Sequence, residues 1–172
     1  NEIKIIFLCS PNNPTGNLVT ESEIKTIMSF YKGLLVIDEA YIEYAGLKNS
    51  LLKLLKTYSY IIILRTFSKA WGLAGIRVGY AVANKEIIST LSKIKESYNV
   101  SKTSQLIALQ ALDQIDRLKT KVRETMILKA DLEKKLKNLD FDIISTTANF
   151  ILARINNAVK IYKKLAKKSI IV

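Results

Sequence analysis

The chain has 172 residues, of which 49% are hydrophobic and 24% charged, values typical of an ordinary globular domain rather than a disordered or fibrous protein. It contains no histidine and one cysteine, Cys9, which excludes a Ser-His-Asp or Cys-His relay, a histidine metal site and an internal disulfide. The formal net charge is +12, but the lysines are spread diffusely, lean towards the C-terminal part and lack a basic motif interleaved with aromatics, so we expect no nucleic-acid partner.

The sequence also carries no signal for a membrane or for export. Its longest purely aliphatic stretch, Ile61–Leu64, is far too short to cross a bilayer, and the N-terminus lacks a charged start followed by an apolar core and a cleavage site. We therefore expect a cytoplasmic protein with no membrane partner. Because Cys9 follows an apolar run, we expect a buried small side chain there rather than a reactive thiol. Proton transfer then falls to Lys, Tyr, Asp or Glu.

The first third of the chain predicts a strand, a turn, a helix and a second strand. Lys4–Cys9 is strand-like and ends in a dense cluster of turn residues, Ser10–Gly16. Thr20 and Glu23 form a capping-box pattern that predicts the start of a helix. The fully apolar run Leu34–Ile37 then predicts a strand that is buried on both faces.

The middle of the chain continues the alternation of short apolar runs and amphipathic stretches. Strands are predicted at Ser59–Leu64 and Val78–Ala83, followed by helices over Lys85–Tyr98, Lys102–Ile115 and Asp116–Leu139. This alternation is typical of βα units, so the sequence predicts an α/β protein with a mostly parallel sheet.

The C-terminal part predicts two strands, a helix and the start of another strand. These are Phe141–Ser145, Asn149–Ile155, Ala158–Lys168 and the apolar Ser169–Val172. The preceding helix is longer than a usual globular helix, which favours a bridge between two domains. We therefore expect three parts: a large domain over residues 1–115, a long inter-domain helix over 116–139, and the beginning of a small domain over 140–172.

Polar side chains follow three of the predicted strands. They are the Asn-Pro-rich turn after Cys9, Asp38 after the second strand, and Lys69 after the third. Ligands of open α/β sheets bind in the crevice outside the carboxyl ends of the strands, so these groups are expected to converge. Each residue alone also has a plain structural interpretation: Asp38 as a helix cap or surface acid, and Lys69 as an ordinary loop lysine.

Further along, Arg77 stands between Gly75 and Gly79, which would let its guanidinium approach a phosphate closely. Thr66 and Ser68 would add hydroxyl donors to the same anion. The alternatives here are a surface arginine at a strand start and two common turn formers.

Taken together, these motifs closely resemble fold-type I pyridoxal-phosphate enzymes of the aspartate aminotransferase superfamily, in its class-II branch. The resemblance rests on Asn13–Gly16, Asp38–Tyr41, Thr66–Lys69, Arg77 and Asn149–Arg154, in order and at plausible spacing. Within the superfamily the motifs look most like those of the histidinol-phosphate aminotransferases. The resemblance implies part of a parallel-sheet large domain followed by the start of a smaller α+β domain.

The resemblance also implies roles for the central residues. Lys69 would form the Schiff base with pyridoxal 5'-phosphate and then move the proton during transamination. Asp38 would pair with the ring nitrogen and keep it protonated, so that the ring withdraws electrons. Asn13 and Tyr41 would donate hydrogen bonds to the phenolic oxygen of the cofactor, although Tyr41 alone is also typical of a half-buried aromatic at a strand end.

The phosphate of the cofactor would be anchored by Thr66, Ser68 and Arg77. For Asn149 and Arg154 the resemblance leaves two interpretations open, substrate contact and small-domain structure, and neither residue joins the expected catalytic set of Lys69, Asp38 and Tyr41. No metal is expected.

The implied activity is transamination between L-histidinol phosphate and 2-oxoglutarate, in histidine biosynthesis, by a homodimer. The alternatives are an aromatic or broad-specificity aminotransferase, a related amino-acid-phosphate decarboxylase, or a truncated non-catalytic domain with a basic interaction surface. The resemblance covers only part of the family's length and both termini look internal, so we expect this chain alone to be inactive.

Overall fold

A computed structural model describes residues 3–172, so the first two residues of the predicted large domain lie outside the described part. The strands are β1 (Ile5–Cys9), β2 (Leu34–Asp38), β3 (Ile61–Thr66), β4 (Gly79–Val82), β5 (Asp142–Ile144) and β6 (Leu152–Arg154). The α-helices are α1 (Glu21–Phe30), α2 (Ile42–Ala45), α3 (Lys85–Ile94), α4 (Lys102–Leu112), α5 (Ile115–Lys137) and α6 (Ala158–Lys167). Short 3-10 helices cover Leu47–Asn49, Leu52–Lys56 and Ala74–Ile76.

The main sheet has the strand order β1-β2-β3-β4. Strands β1, β2 and β3 pair in parallel, and β4 adds to β3 in the antiparallel sense. This confirms the predicted α/β class with a mostly parallel sheet. The register places Cys9 beside Asp38 and Asp38 beside Leu64, so three parallel strands end at one edge of the sheet.

The core of this sheet forms against α1 on one face. The predicted capping box is present, with the Thr20 side chain accepting from the Glu23 amide and the Glu23 side chain accepting from the Thr20 amide. Burial of each core side chain contributes roughly 1.5–3 kcal/mol, so this layer fixes the strand ends that carry the site. The core residues are Ile24, Met28, Leu35, Ile37, Leu51, Leu54, Ile61 and Ile63.

The expectation that Cys9 is buried is wrong. Cys9 is exposed, as are Ile5 and Phe7 on the same side of β1. Strand β1 lies at an edge of the four-stranded sheet, and alternate side chains of a strand point to opposite faces, so this set faces outward. An apolar run alone therefore does not indicate whether both faces of a strand are buried.

The strand predicted at Ser169–Val172 is also absent. A strand needs a neighbour for its backbone hydrogen bonds, and within residues 3–172 the small sheet consists of β5 and β6 alone, paired antiparallel. The 23-residue helix α5 precedes this small sheet in the chain, and the division into two domains stays a prediction. Among the described helices none is both long and apolar enough to cross a membrane.

Candidate active site

The turn that follows β2 directs Asp38 and Tyr41 towards the edge where the parallel strands end. One carboxylate oxygen of Asp38, Oδ1, accepts a hydrogen bond of 2.9 Å from the Ala40 amide. This contact closes a short turn of the kind that aspartate favours, and α2 begins directly after Tyr41. Tyr41 is half-buried and reaches the region beyond the strand ends.

Three of the predicted site residues meet there. The Asn13 side-chain amide donates to the Tyr41 hydroxyl over 3.2 Å. The Lys69 ammonium lies 5.1 Å from the centroid of the Tyr41 ring, within the range of a cation–π contact. An amine, an amide and a phenol, each following a different parallel strand, therefore share one small volume.

These side chains line an open cavity of about 420 Å³. Its other wall comes from the segment Asn149–Leu152, and the Phe150 ring meets the Tyr41 ring edge-on with 5.3 Å between centroids. Phe150 was not singled out from the sequence, although it stands inside the motif that carried the resemblance. Asn149 lines the cavity, whereas Arg154 is exposed and lies 3.6 Å from Asp142 in an ion pair across the small sheet.

Asp38, Thr66, Ser68 and Arg77 are not among the described residues that line this cavity. Asp38 still lies at the same sheet edge, beside Cys9 and Leu64 in the strand register. The structure thus brings Asn13 and Lys69 each to Tyr41, and places Asp38 at the end of the strand that precedes Tyr41.

The hydroxyl pair predicted for phosphate binding forms one local structure. Thr66 Oγ1 accepts from the Ser68 amide at 3.0 Å and donates to the Val78 carbonyl at 3.4 Å. Arg77 adopts a left-handed conformation with φ of 54°, and its guanidinium donates to the Ala74 carbonyl at 3.2 Å. Thr66 pairs with Gly79 across β3 and β4, and Arg77 is two residues before Gly79, so the Arg77 backbone lies near the end of β3. The Arg77 guanidinium, however, bonds the Ala74 carbonyl rather than Thr66 or Ser68.

A buried ion pair joins the end of β2 to β3. Glu39 is fully buried, and its carboxylate accepts from Arg65 Nε at 2.8 Å and from the Leu51 amide at 2.7 Å. Ser50 bonds both partners. A buried carboxylate is costly without such compensation, so this cluster ties the residue after β2 to β3. The sequence alone does not reveal this pair, because Glu39 and Arg65 are 26 positions apart and meet only when β2 and β3 align.

The electrostatics around these strand ends are asymmetric. Partial desolvation by neighbouring groups, followed by the nearby Asp38 carboxylate, raises the pKa of the Cys9 thiol although the residue is exposed, so Cys9 is not an activated nucleophile. Burial also raises the pKa of Glu43, an effect that the Arg65 guanidinium opposes from 3.6 Å away. The amine of Lys69, by contrast, is exposed at this edge.

This donor set suits an aromatic aldehyde that carries a phosphate. Lys69 offers an accessible amine, Asn13 and Tyr41 offer hydrogen-bond donors to a ring oxygen, and Asp38 offers a carboxylate at the neighbouring strand end. Hydroxyl donors are present at Thr66 and Ser68.

Comparisons with known proteins agree with this geometry. Residues 1–172 match the family described as aminotransferase class I and II. The histidinol-phosphate aminotransferase of Cytophaga hutchinsonii is 42% identical over 170 residues, covering 98% of this chain and 49% of that protein. The crystal structure of the histidinol-phosphate aminotransferase from Clostridium acetobutylicum matches with a TM-score of 0.90 at 26% identity, covering 98% of this chain and 53% of that one.

A third relative was solved with a cofactor. The histidinol-phosphate aminotransferase from Sinorhizobium meliloti, in complex with pyridoxal-5'-phosphate, matches with a TM-score of 0.89 at 25% identity, covering 98% of this chain and 48% of that one. The chain spans about half the length of the curated relatives it matches.

Proposed function

Because the chain belongs to the aminotransferase class I and II family, we propose that the complete protein containing it is a pyridoxal-phosphate-dependent aminotransferase acting on L-histidinol phosphate. The observation that carries the proposal is the meeting of Lys69, Tyr41 and Asn13 at the ends of three parallel strands. The substrate assignment is supported by similarity to relatives that bear this name.

Lys69 is the proposed site of covalent attachment and of proton transfer. Lys69 is exposed and lines the cavity, and the Tyr41 ring favours a cation over its face, which supports the position of the amine there. When bound, pyridoxal phosphate supplies an aldehyde that condenses with an amine and a ring that accepts electrons. Lys69 would hold the cofactor through its amine and, where that amine is free, would take up and return a proton at the same nitrogen.

Asn13 and Tyr41 are proposed to orient the cofactor through hydrogen bonds to its ring oxygen. The Asn13 amide retains a second hydrogen when it donates to Tyr41, and the Tyr41 hydroxyl retains its own proton for donation. Asp38 is proposed to hold the ring nitrogen in its protonated form. One of its oxygens is fixed by the Ala40 amide, which leaves the other free to accept.

Thr66, Ser68 and Arg77 are proposed to bind the phosphate. The Ser68 backbone amide donates to the Thr66 hydroxyl, and this bond already forms a compact turn, which suits an anion. Arg77 would join them by exchanging its bond to the Ala74 carbonyl for the phosphate, a stronger charge-assisted partner.

Covalent labelling tests the proposed cofactor site. The complete protein is incubated with pyridoxal phosphate, reduced with borohydride and mapped by mass spectrometry, and the label is expected on Lys69. The variant Lys69→Arg loses the label, whereas Lys93→Arg, at an exposed lysine of α3, keeps it. Absence of a label on Lys69 would refute the proposal and favour a non-catalytic domain.

Half-reactions test the substrate. Without 2-oxoglutarate, L-histidinol phosphate is expected to decrease the visible absorbance of the bound cofactor faster than phenylalanine does. Addition of 2-oxoglutarate is then expected to restore this absorbance. Faster turnover of phenylalanine would contradict the assignment of L-histidinol phosphate and indicate an aromatic amino acid as the substrate. Release of carbon dioxide from an amino-acid phosphate would indicate a decarboxylase. We also propose that the complete protein is cytoplasmic and forms a homodimer. Light scattering of the complete protein tests the homodimer.

A further inference from the structure

Helix α5 contains a lysine that the proposed chemistry does not use. Lys129 is on the helix that precedes the small sheet, yet its side chain is only 7% exposed. Its ammonium donates to the Thr146 carbonyl at 2.5 Å and lies 3.5 Å from a carboxylate oxygen of Glu133. That Glu133 oxygen is buried without a hydrogen bond, so Lys129 is its charge partner. Burying a lysine ammonium costs free energy unless it is paired, so its contacts define what this side chain holds in place.

Lys129 holds a loop that forms one wall of the cavity. The loop runs from Thr146 to Phe150, and Thr146 and Ala148 within it are buried. The Thr146 hydroxyl donates to the Phe150 carbonyl at 2.5 Å, which closes the loop on itself. The carbonyl that Lys129 binds and the aromatic ring that faces the cavity therefore belong to one compact unit.

The same loop docks on the turn that carries Asn13. The amide and the hydroxyl of Thr147 both donate to the Gly16 carbonyl, at 2.9 and 2.7 Å. The approach is so close that a Cβ at Gly16 would lie 2.2 Å from the Thr146 Cβ. Through this contact the loop touches the turn after β1, and through Phe150 it touches Tyr41.

We infer that Lys129 is a positioning residue for the cofactor site: by fixing the Thr146 carbonyl it sets Phe150 against Tyr41, and so the Tyr41 hydroxyl against Asn13. The inference rests on the proposed function, because it takes Tyr41 and Asn13 to contact the cofactor. Its route is a chain of packed groups, α5 to loop to ring to hydroxyl, with every contact given by the structure.

The test compares variants of the complete protein. Lys129→Met keeps the side-chain volume but removes the charge and the donor, and Lys129→Arg keeps both. The double variant Lys129→Met/Glu133→Gln also removes the Glu133 charge that Lys129→Met leaves unpaired. It is used in place of Lys129→Met if that variant does not fold. Lys135→Met is the matched control, because Lys135 is on the same helix and pairs with Asp131, but is 68% exposed.

Two measurements report the proposed effect. Hydrogen exchange of the cofactor-free protein follows the Thr147 amide, which is expected to exchange at least about tenfold faster in both Met variants of Lys129. The dissociation constant of pyridoxal phosphate is expected to rise roughly threefold to tenfold, the scale of coupling between contacting residues. Lys129→Arg is expected to keep the exchange rate of the Thr147 amide and the dissociation constant close to those of the wild type. Lys135→Met is expected to change neither quantity.

The route through Phe150 is tested by repeating Lys129→Met in a Phe150→Leu background. There the lysine substitution is expected to add nothing to the dissociation constant. Equal effects in both backgrounds, unchanged exchange at Thr147, or recovery of wild-type affinity on adding Glu133→Gln would each overturn the inference. A wild-type protein that takes no label on Lys69 would overturn this inference together with the proposed function, whereas a labelled wild type with unresponsive Lys129 variants overturns this inference alone.

Discussion

The side-chain amide of Asn13 donates to the hydroxyl of Tyr41 over 3.2 Å, joining residues 28 positions apart in the chain. Asn13 follows β1, Tyr41 follows β2, and Lys69, which lies over the Tyr41 ring, follows β3. Each of three adjacent parallel strands thus contributes one functional group to one volume. Convergence of this kind follows from parallel pairing, which brings the carboxyl ends of the strands to a common edge.

The Tyr41 hydroxyl is expected to matter more for activity than for folding. In Tyr41→Phe the ring still meets Phe150 and Lys69, but the partner of Asn13 and the proposed donor to the cofactor are lost. We expect kcat/KM of the complete protein to fall about tenfold, since a hydrogen bond to a charged group contributes about 1.5 kcal/mol or more. Steady-state kinetics with L-histidinol phosphate and 2-oxoglutarate measure this.

Tyr60→Phe is the control for this substitution. Tyr60 is 58% exposed and precedes β3 at the opposite end of the sheet, so its hydroxyl is expected to be neutral. Equal activity of Tyr41→Phe and the wild type would remove Tyr41 from the proposed site.

Replacing Asp38 by asparagine is expected to affect both cofactor and thiol. Asparagine can still accept from the Ala40 amide, so the turn after β2 is kept while the charge is lost. Without the carboxylate the proposed cationic ring nitrogen has no counter-charge, and we expect pyridoxal phosphate to bind at least about tenfold more weakly.

The same variant provides a check that is independent of the cofactor. Partial desolvation is the main cause of the raised pKa of Cys9 and the Asp38 carboxylate is the second, so in Asp38→Asn the pKa of Cys9 is expected to fall part of the way to its ordinary value. Alkylation rates of Cys9 as a function of pH measure this shift. Asp113→Asn, an exposed acid after α4, is expected to leave the profile unchanged, and an unchanged profile in Asp38→Asn would argue against the placement of Asp38 beside Cys9.

Features determined by a short stretch of sequence were predictable. The capping box of Thr20 and Glu23 lies within one helical turn, and the run Leu34–Ile37 is apolar at every position because β2 is covered on both sides. The convergence of Asn13, Tyr41 and Lys69 at one sheet edge was predictable as well, because each follows a strand that the hydrophobic pattern already marks. The roles of the site residues stay predictions.

Features that depend on distant partners were not. Glu39 and Arg65 become an ion pair only when β2 and β3 align, and Phe150 reaches Tyr41 only when the loop after β5 docks on the turn at Gly16. The burial of Cys9 was predicted wrongly for the same reason, since an apolar strand does not reveal whether its second face is covered.

The Glu39–Arg65 pair is expected to behave as a buried charge pair whose halves cannot be separated. Arg65→Met leaves the fully buried Glu39 carboxylate without its cation and should lower the free energy of unfolding by about 3–5 kcal/mol. The double variant Arg65→Met/Glu39→Gln removes the unpaired charge and should recover a large part of that loss. Urea denaturation of the complete protein measures both, and a double variant no more stable than Arg65→Met would show that the unpaired Glu39 charge is not the cause of the loss.

Gly16 and Gly72 form a matched pair for testing how the loop Thr146–Phe150 docks. Both glycines adopt positive φ, 68° and 69°, so alanine at either site carries a similar backbone strain of about 1–2 kcal/mol. Only at Gly16 would the new Cβ collide with a neighbour, the side chain and backbone of Thr146, whereas at Gly72 no other atom lies within 4 Å. Overpacking adds roughly 1–3 kcal/mol, so Gly16→Ala should destabilise the complete protein more than Gly72→Ala.

The collision should also separate the two variants in function. Displacing Thr146 breaks the bonds from Thr147 to the Gly16 carbonyl and moves Phe150 away from Tyr41, so pyridoxal phosphate should bind more weakly to Gly16→Ala than to Gly72→Ala. Thermal unfolding and cofactor titration of both variants provide the comparison. If the two alanine variants are equally stable and bind the cofactor equally, the loop does not pack on the turn at Gly16, and the cavity wall formed by Phe150 has no support from that side.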